Sequence, residues 1–302
     1  MRVKYNVDTQ VVFQIGDPMD QGCATYLHNA IYEYANINAV NLPCVVPQGT
    51  LPDFIQAVKT INANGFDITT PHKTDIIPYL DECDEASRAF RCVNCVKVKD
   101  GKLIGIGLDG AGMGMSIQDV VDDLTDLHVL IVGAGAVAGP IAANLCTRGV
   151  KKATIINRTK EKSEYIAGVL QSLYGIETEC GPFDANYIAS IAPNVDLVVQ
   201  CTSLKTVSDW ENTLPLSFIK FLPKHCIVAD VLYPTTAFLK EAASQGLKII
   251  DGRGMLFYQQ IAMMEFRFGI KLPKDVLLEA EEAVEIAIAM RSLRNRRLNL
   301  SN

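Results

Sequence analysis

The sequence predicts an α/β fold: a first α/β unit, then a doubly wound parallel sheet, then a helical tail. Three observations predict it. Strand-like and helix-like segments alternate through the first third of the chain. An apolar run, Val129-Leu130-Ile131-Val132, leads straight into Gly133-Ala134-Gly135-Ala136-Val137-Ala138-Gly139 and begins a βαβ series. The stretch from Pro273 to Leu293 then has a helical pattern, with Pro273 suited to a first turn. The expected division is a first α/β unit over 1–112, a doubly wound unit over 113–251 and C-terminal helices over 252–302.

The elements follow in order. Val11 to Ile15 is a short β-rich run stopped by Gly16-Asp17-Pro18, and Tyr26 to Tyr34 reads as a helix. Cys44-Val45-Val46 reads as a buried strand. Pro52 opens a helix carrying Phe54, Ile55, Val58 and Ile61 at helical spacing. Gly65 to Thr69 is strand again, and Pro71 ends it. After the acidic stretch Asp119 to Asp126 come the strand Val129 to Val132, a helix over Ile141 to Cys146 and a strand over Ala153 to Ile156. Leu197 to Val199, Ile227 to Val231 and Leu247 to Ile250 are further strands, with a helix at Phe238 to Ser244. Such a series forms a parallel sheet with helices on both faces.

Composition excludes whole classes. At 302 residues the chain can bury a large core without metal or disulfide staples. With 49% apolar residues it is not a disordered chain. No apolar run is long enough to span a membrane, and no apolar signal core follows Met1. Nine irregularly spaced cysteines read as reduced thiols, which points to the cytoplasm. The net charge of -6, with no basic stripe, argues against nucleic acid as a partner. Arg291, Arg294, Arg296 and Arg297 at the end read as ordinary partners of a helix C-terminus. A monomer or homodimer is expected.

The glycine-rich turn carries the first chemistry. Gly133 to Ala138 matches G-x-G-x-x-G/A with a strand before it and a helix after it, the context of a Rossmann-type dinucleotide site. Gly133 permits the tight turn and Gly135 lets the backbone approach a pyrophosphate. Ala136 and Val137 complete the turn, and Ala138 keeps the helix close to the sheet. The helix N-terminus then presents N–H groups to the phosphates. The second strand of this unit ends in Asn157-Arg158-Thr159-Lys160, without the carboxylate that takes a ribose diol. Arg158 suits a 2′-phosphate, with Asn157 and Thr159 as polar contacts. The cofactor reading is therefore NADP, with NAD as the alternative.

Lys73 follows Gly65-Phe66-Asp67-Ile68-Thr69-Thr70-Pro71-His72, and Asp109 lies in Gly105-Ile106-Gly107-Leu108-Asp109-Gly110. A lysine and a carboxylate beside a nicotinamide can pass the proton that accompanies hydride transfer. By spacing alone each reads first as a surface charge.

These segments resemble the shikimate dehydrogenase family over nearly the whole chain. The family's G-x-N-V-T-x-P-x-K appears as Gly65 to Lys73, with Asp67 in place of Asn. Its A-V-N-T appears as Cys92-Val93-Asn94-Cys95, and its G-x-N-T-D-x-x-G as Gly105 to Gly112. Its N-R-T is Asn157-Arg158-Thr159. Its late motifs are Asp230 to Thr235 and Gly252 to Gln260. The resemblance implies that residues 1–112 bind the substrate, that 113–251 form a Rossmann-type NADP-binding domain and that the C-terminal helices over 252–302 return to the first unit. It implies Lys73 and Asp109 as the catalytic pair. It implies Asn94 and Gln259 on ring hydroxyls, Thr69 on the substrate, Tyr233 lining the pocket and Gly252 at the cofactor.

One motif departs. The family's G-x-P-I-x-H-S-x-S-P-x-x-H-N reads here Gly16-Asp17-Pro18-Met19-Asp20-Gln21-Gly22-Cys23-Ala24-Thr25-Tyr26-Leu27-His28-Asn29. Gly22 and Ala24 replace the two serines that hold the shikimate carboxylate, and Gly107-Leu108 replaces the Asn-Thr before Asp109. Each lost charge-assisted bond is worth roughly 1.5–3 kcal/mol. Three readings follow. The substrate is a shikimate-like cyclic polyol or hydroxy-ketone with another substituent; or it is still shikimate or quinate, with Gln21, Thr25 or backbone N–H groups on the carboxylate; or the chain is an inactive ligand-binding member of the family.

The remaining signals read as structure. Cys92-x-x-Cys95 lacks a second cysteine pair for a metal. His28 reads as structural, and His72 should point away from Lys73 if the segment is extended. Trp210 reads as lying in a polar loop. Met255 and Met264 read as core or pocket lining.

Overall fold

The computed structural model describes residues 5–19, 24–233, 235–273 and 275–300. They divide into two compact units: Met1–Asp84, Val93–Gly107 and Gln260–Asn302 form the first, and Glu85–Cys92 and Leu108–Gln259 the second.

The first unit opens with β1 (Gln10–Gly16), α1 (Ala24–Tyr34), β2 (Ala39–Val45), α2 (Leu51–Thr60), β3 (Gly65–Ile68) and the short β4 (Glu82–Cys83). A helix of the second unit, α3 (Glu85–Ala89), interrupts it before β5 (Cys95–Lys99) and β6 (Lys102–Ile106). The sheet order is β2-β1-β3-β5-β6-β4, parallel at β2, β1 and β3, and antiparallel through β5 and β6. Asp100 and Gly101 turn the β5–β6 hairpin with φ of 51° and 75°, the left-handed pair that a two-residue hairpin requires.

One strand differs from its sequence reading. The buried strand expected at Cys44-Val45-Val46 is the tail of β2, and Val45 is 58% exposed. The cause is position: β2 is the sheet edge, where Pro43 is tolerated and one rim meets water. The core of this unit instead joins Ile15, Val46, Phe66, Val93, Val96 and Leu103.

The second unit contains α4 (Asp109–Gln118), β7 (His128–Val132), α5 (Ala138–Thr147), β8 (Lys152–Ile156), α6 (Lys160–Tyr174) and β9 (Glu177–Gly181). It continues with α7 (Ala185–Ile191), β10 (Leu197–Gln200), α8 (Val207–Thr213), β11 (Ile227–Asp230), α9 (Ala237–Ser244) and β12 (Lys248–Ile250). All six strands are parallel in the order β12-β11-β10-β7-β8-β9. Read from the first strand, this is the doubly wound order 3-2-1-4-5-6, whose direction reverses between β7 and β10. Alternate residues of β7 face opposite layers: Val129 and Ile131 pack in one core cluster, Leu130 and Val132 in the other.

Trp210, read from sequence as lying in a polar loop, is buried in α8 and stacks on Phe238 at 5.2 Å between ring centroids. Polar residues surround it in sequence because they cap its helix. Thr206 accepts from Asp209 N, and Asp209 accepts from Thr206 N, a reciprocal cap that closes the first turn.

The last helices are α10 (Gly252–Phe268) and α11 (Val276–Leu300). From Gln260 onward they belong to the first unit, so the C-terminal helices do return to it. There α11 packs along α1, and Tyr34 donates to Asp275 at 2.6 Å. Among the described residues, no helix is long and apolar enough to cross a membrane.

Candidate active site

In the second unit the glycine turn follows β7 at the strand-order reversal. Gly133 has a φ of +100°, and its N–H donates to Ile156 O at 2.8 Å. An added Cβ would meet Thr202 Cγ2 at 2.6 Å, so this turn requires glycine. Gly135 and Ala136 are exposed, Val137 is half-buried, and Ala138, the first residue of α5, is fully buried. No side chain caps α5; its first N–H, that of Ala138, donates to Gly135 O at 3.1 Å, and Pro140 has none. Asn157, expected as a cofactor contact, also braces the loop: its Oδ1 accepts from Ala134 N at 3.2 Å and its Nδ2 donates to Thr159 O at 2.9 Å. Arg158 and Thr159 are exposed at the end of β8, with no carboxylate in Asn157-Arg158-Thr159-Lys160. An open, uncapped helix start beside an exposed arginine fits a dinucleotide carrying an extra phosphate.

Asp109 opens α4 and is 3% exposed, and Cys92 Sγ donates to its Oδ2 at 3.6 Å. Two glycines of α4 fix what lies beside it. A Cβ at Gly110 would strike the Pro140 carbonyl of α5, and one at Gly112 would strike Met255 O and lie 3.0 Å from Gln259 N on α10. Helix α4 thus wedges between the start of α5 and the turn of α10 that carries Gln259. Gly252 is buried at the start of α10, its N–H donating to Leu232 O at 3.1 Å, and Tyr233 is the next residue, half-buried. The second unit therefore gathers Asp109, Gln259, Tyr233, Gly252 and the glycine turn.

The first unit gathers the others. Asn94 O accepts from Ile68 N at 2.8 Å, Thr69 N donates to Ile15 O at 2.9 Å, and Val93 N donates to Lys73 O at 3.0 Å. These bonds hold Thr69, Lys73 and Asn94 just past the C-terminal ends of β1 and β3, where ligands bind in α/β sheets. Asn94 is buried at 1% exposure, while Thr69 and Lys73 are half-buried. The segment carrying His72 and Lys73 is not extended. Residues 70–76 form consecutive turns, and His72 is fully buried with Nε2 2.6 Å from Val46 O. Proline at 71 redirects the chain, so the period-two rule does not reach His72. Ala24 is the buried first residue of α1, and Gly22 lies outside the described residues.

Cysteine and histidine readings resolve individually. Cys95 Sγ accepts from Arg267 at 3.3 Å, and burial pushes its thiol well above the usual range. No group of three or more His, Cys, Asp or Glu among the described residues could hold a metal ion. Met255 and Met264 are buried. The groove of about 300 Å³ between α1 and α11, walled by Glu279 and Glu282, contains none of the site residues.

Sequence reasoning missed Asp230 as a working part. It is fully buried at the end of β11 and accepts from Gln200 at 3.1 Å, Leu232 N at 2.9 Å and Thr236 at 2.5 Å. Burial raises its carboxyl to about 6 against the downward pull of these donors. A carboxylate closing an apolar strand, before a Tyr-Pro turn, was the available signal.

Comparison with known proteins decides the family. Residues 14–96 match the shikimate dehydrogenase substrate binding domain, and residues 116–213 match shikimate / quinate 5-dehydrogenase. A shikimate dehydrogenase (NADP(+)) of Methanococcus aeolicus is 32% identical over 277 residues, 91% of this chain and 98% of that one. The chain belongs to the shikimate dehydrogenase family. Among solved structures, the 5-ketofructose reductase of Gluconobacter sp. strain CHM43 is 28% identical with a TM-score of 0.82, over 93% of this chain and all of that one. The shikimate dehydrogenase of Aquifex aeolicus is 28% identical with a TM-score of 0.79, over 92% and 98%. Family membership makes the chain an oxidoreductase of the shikimate/quinate dehydrogenase class, with the two-unit fold described above.

Proposed function

We propose that the chain is an NADP-dependent oxidoreductase that interconverts a ring hydroxyl and a ketone of a shikimate-like cyclic polyol. The first unit binds the substrate and the second the nucleotide. The observation that carries the substrate choice is the pair Gly22 and Ala24, which offers no hydroxyl where the family holds a carboxylate. A relative named for a keto sugar, a compound without a carboxylate, supports the same choice. NADP over NAD rests on Arg158 and the absent acidic residue after β8, and on a relative named as NADP(+)-dependent.

NADP supplies the hydride acceptor when bound at the glycine turn. Gly133 to Ala138 and the start of α5 take its phosphates, Asn157, Arg158 and Thr159 its adenosine end, and Gly252 its other end. By the family resemblance, Asn94 and Gln259 are assigned to ring hydroxyls, Thr69 and Tyr233 to the ring, and Lys73 and Asp109 to the reacting hydroxyl. As the C–H hydride leaves, the Lys73 amine takes the hydroxyl proton, and Asp109 accepts a hydrogen bond that aligns the alcohol. In the reductive direction Lys73 returns the proton to the carbonyl oxygen. A monomer or homodimer in the cytoplasm is the setting we assign, in keeping with reduced thiols.

A second reading has its own support, because a relative covered over 98% of its length is named a shikimate dehydrogenase. In it, shikimate or quinate remains the substrate and other groups hold the carboxylate. Following NADPH absorbance with uncharged cyclitols, shikimate and quinate, each with NADP and NAD, separates the two. The proposal expects turnover of a neutral polyol with NADP. Sub-millimolar KM for shikimate would replace it with the second reading, and a tenfold preference for NAD would overturn the cofactor assignment.

A further inference from the structure

Five elements of the first unit converge on a buried polar cluster that the proposed chemistry does not use. Arg267 on α10 is fully buried and donates through Nη2 to Asp67 Oδ1 on β3 and, at 3.3 Å, to Cys95 Sγ on β5. Asn41 on β2 donates to Asp67 Oδ2 at 3.4 Å. His28 on α1 lies 3.5 Å from that oxygen by Nδ1, and its Nε2 lies 2.5 Å from Gln260 Oε1 on α10. Since Gln260 Oε1 can only accept, Nε2 bears the proton and Nδ1 accepts, with Tyr32 OH at 3.2 Å and Asn41 Nδ2 at 3.1 Å as donors. Gly65 leaves the space: a Cβ there would lie 3.0 Å from Arg267 Nε.

Stability alone does not account for this cluster. A buried ion pair gains in Coulomb energy about what it loses in desolvation, and apolar replacements of equal volume are often neutral or better. Two guanidinium nitrogens, Nε and Nη1, are buried with no hydrogen-bond partner among the described residues, which deepens the penalty. Geometry is the better explanation. Asp67 and Cys95 are register partners in the antiparallel β3–β5 pair. One residue beyond each, Ile68 N donates to Asn94 O, and Thr69 follows. Arg267 therefore clamps the two strands at the last rung before two proposed substrate contacts. The family motif that this chain resembles has a neutral Asn where Asp67 stands, so this chain carries a carboxylate on this rung where the motif does not.

We propose that Asp67 and Arg267 are a coupled pair of positioning residues, which set Thr69 and Asn94 for the substrate without touching it. The kinetic part of this inference rests on the proposed function above.

The test is a cycle of Asp67→Asn, Arg267→Met and the double variant, read by thermal unfolding, NADP Kd, steady-state kinetics and amide hydrogen exchange. Each single variant leaves one buried charge unpaired and should lower Tm sharply. The double variant should recover most of that loss. Its NADP Kd should match the parent and its kcat stay within about twofold, while KM for the polyol rises about tenfold and the Ile68 and Thr69 amides exchange about tenfold faster. If the singles do not fold, the double variant alone carries the test. Additive losses in the cycle would overturn the coupling, and a double variant with parental KM and exchange rates would overturn the positioning role. If no polyol is turned over by the parent, the proposed function fails, while unfolding and amide exchange still decide this inference.

Discussion

The two units solve the same problem, placing polar groups at the ends of buried strands, by opposite means. In the second unit β7, β8, β10 and β11 are apolar almost throughout, and polar work begins only where strands stop, at Gln200, Asp230 and the glycine turn. In the first unit a carboxylate and a guanidinium lie inside the fold, joined across 200 residues of sequence. In the nucleotide half the strand, the glycine turn and the helix after it are neighbours in sequence. The substrate half is held by partners that meet only after the chain has passed through the whole second unit and returned.

This contrast can be broken or sharpened experimentally. The largest effect is expected from Lys73→Ala, which should cut kcat roughly 10²–10⁴-fold and leave the NADP Kd unchanged, since Lys73 and the nucleotide contacts lie in different units. Stopped-flow turnover beside fluorescence titration checks it, and surviving turnover would remove Lys73 from the mechanism. The glycine turn should respond the other way. Gly135 is exposed, and an added Cβ would come only to 3.4 Å of Cys201 O, so Gly135→Val should raise the NADP Kd about tenfold or more by blocking phosphate approach while Tm hardly moves. Gly133→Val should instead lower Tm, because both its φ and its space are closed to a side chain.

The smallest expected effect is in pH dependence, where the units should carry opposite slopes. Burial lowers the His28 pKa, against the pull of Asp67. Stability from the first unit is thus present above the unfolded value of about 6.5 and lost as pH falls below it. Burial raises Asp230 to about 6. Stability from the second unit is thus fully present below the unfolded value of about 4 and lost as pH rises through about 6. The Asp230 contribution is of order 1–3 kcal/mol. Denaturant unfolding of the parent, Asp230→Asn and His28→Gln across this range should flatten one limb at a time. Parallel profiles for all three would show that neither group carries the linkage.

How much was legible follows the same division. The doubly wound unit could be read because its signals are local: an apolar run, a glycine turn and a following helix within one βαβ step. Thr206 and Asp209 were equally local, yet their reciprocal cap went unread and Trp210 was placed in a loop. The Asp100-Gly101 turn of β5–β6 was another signal within reach. The Cys44–Val46 strand failed because burial depends on rank within a sheet, and β2 is an edge. His72 failed because alternation holds only while the strand continues. The site residues Lys73, Asn94 and Asp109 came from motif order rather than spacing. Nothing in the sequence pairs Asp67 with Arg267, since no local rule links positions on β3 and α10.

The proposed substrate lacks the family's carboxylate because Gly22 and Ala24 offer no hydroxyl to hold one. The most direct measurement is kcat/KM for shikimate in the parent and in the Gly22→Ser/Ala24→Ser variant, beside a neutral cyclitol. Two restored donors at roughly 1.5–3 kcal/mol each predict a gain of about tenfold or more for shikimate and none for the cyclitol. A parent that already turns over shikimate at sub-millimolar KM, with no gain on restoring the serines, would contradict it.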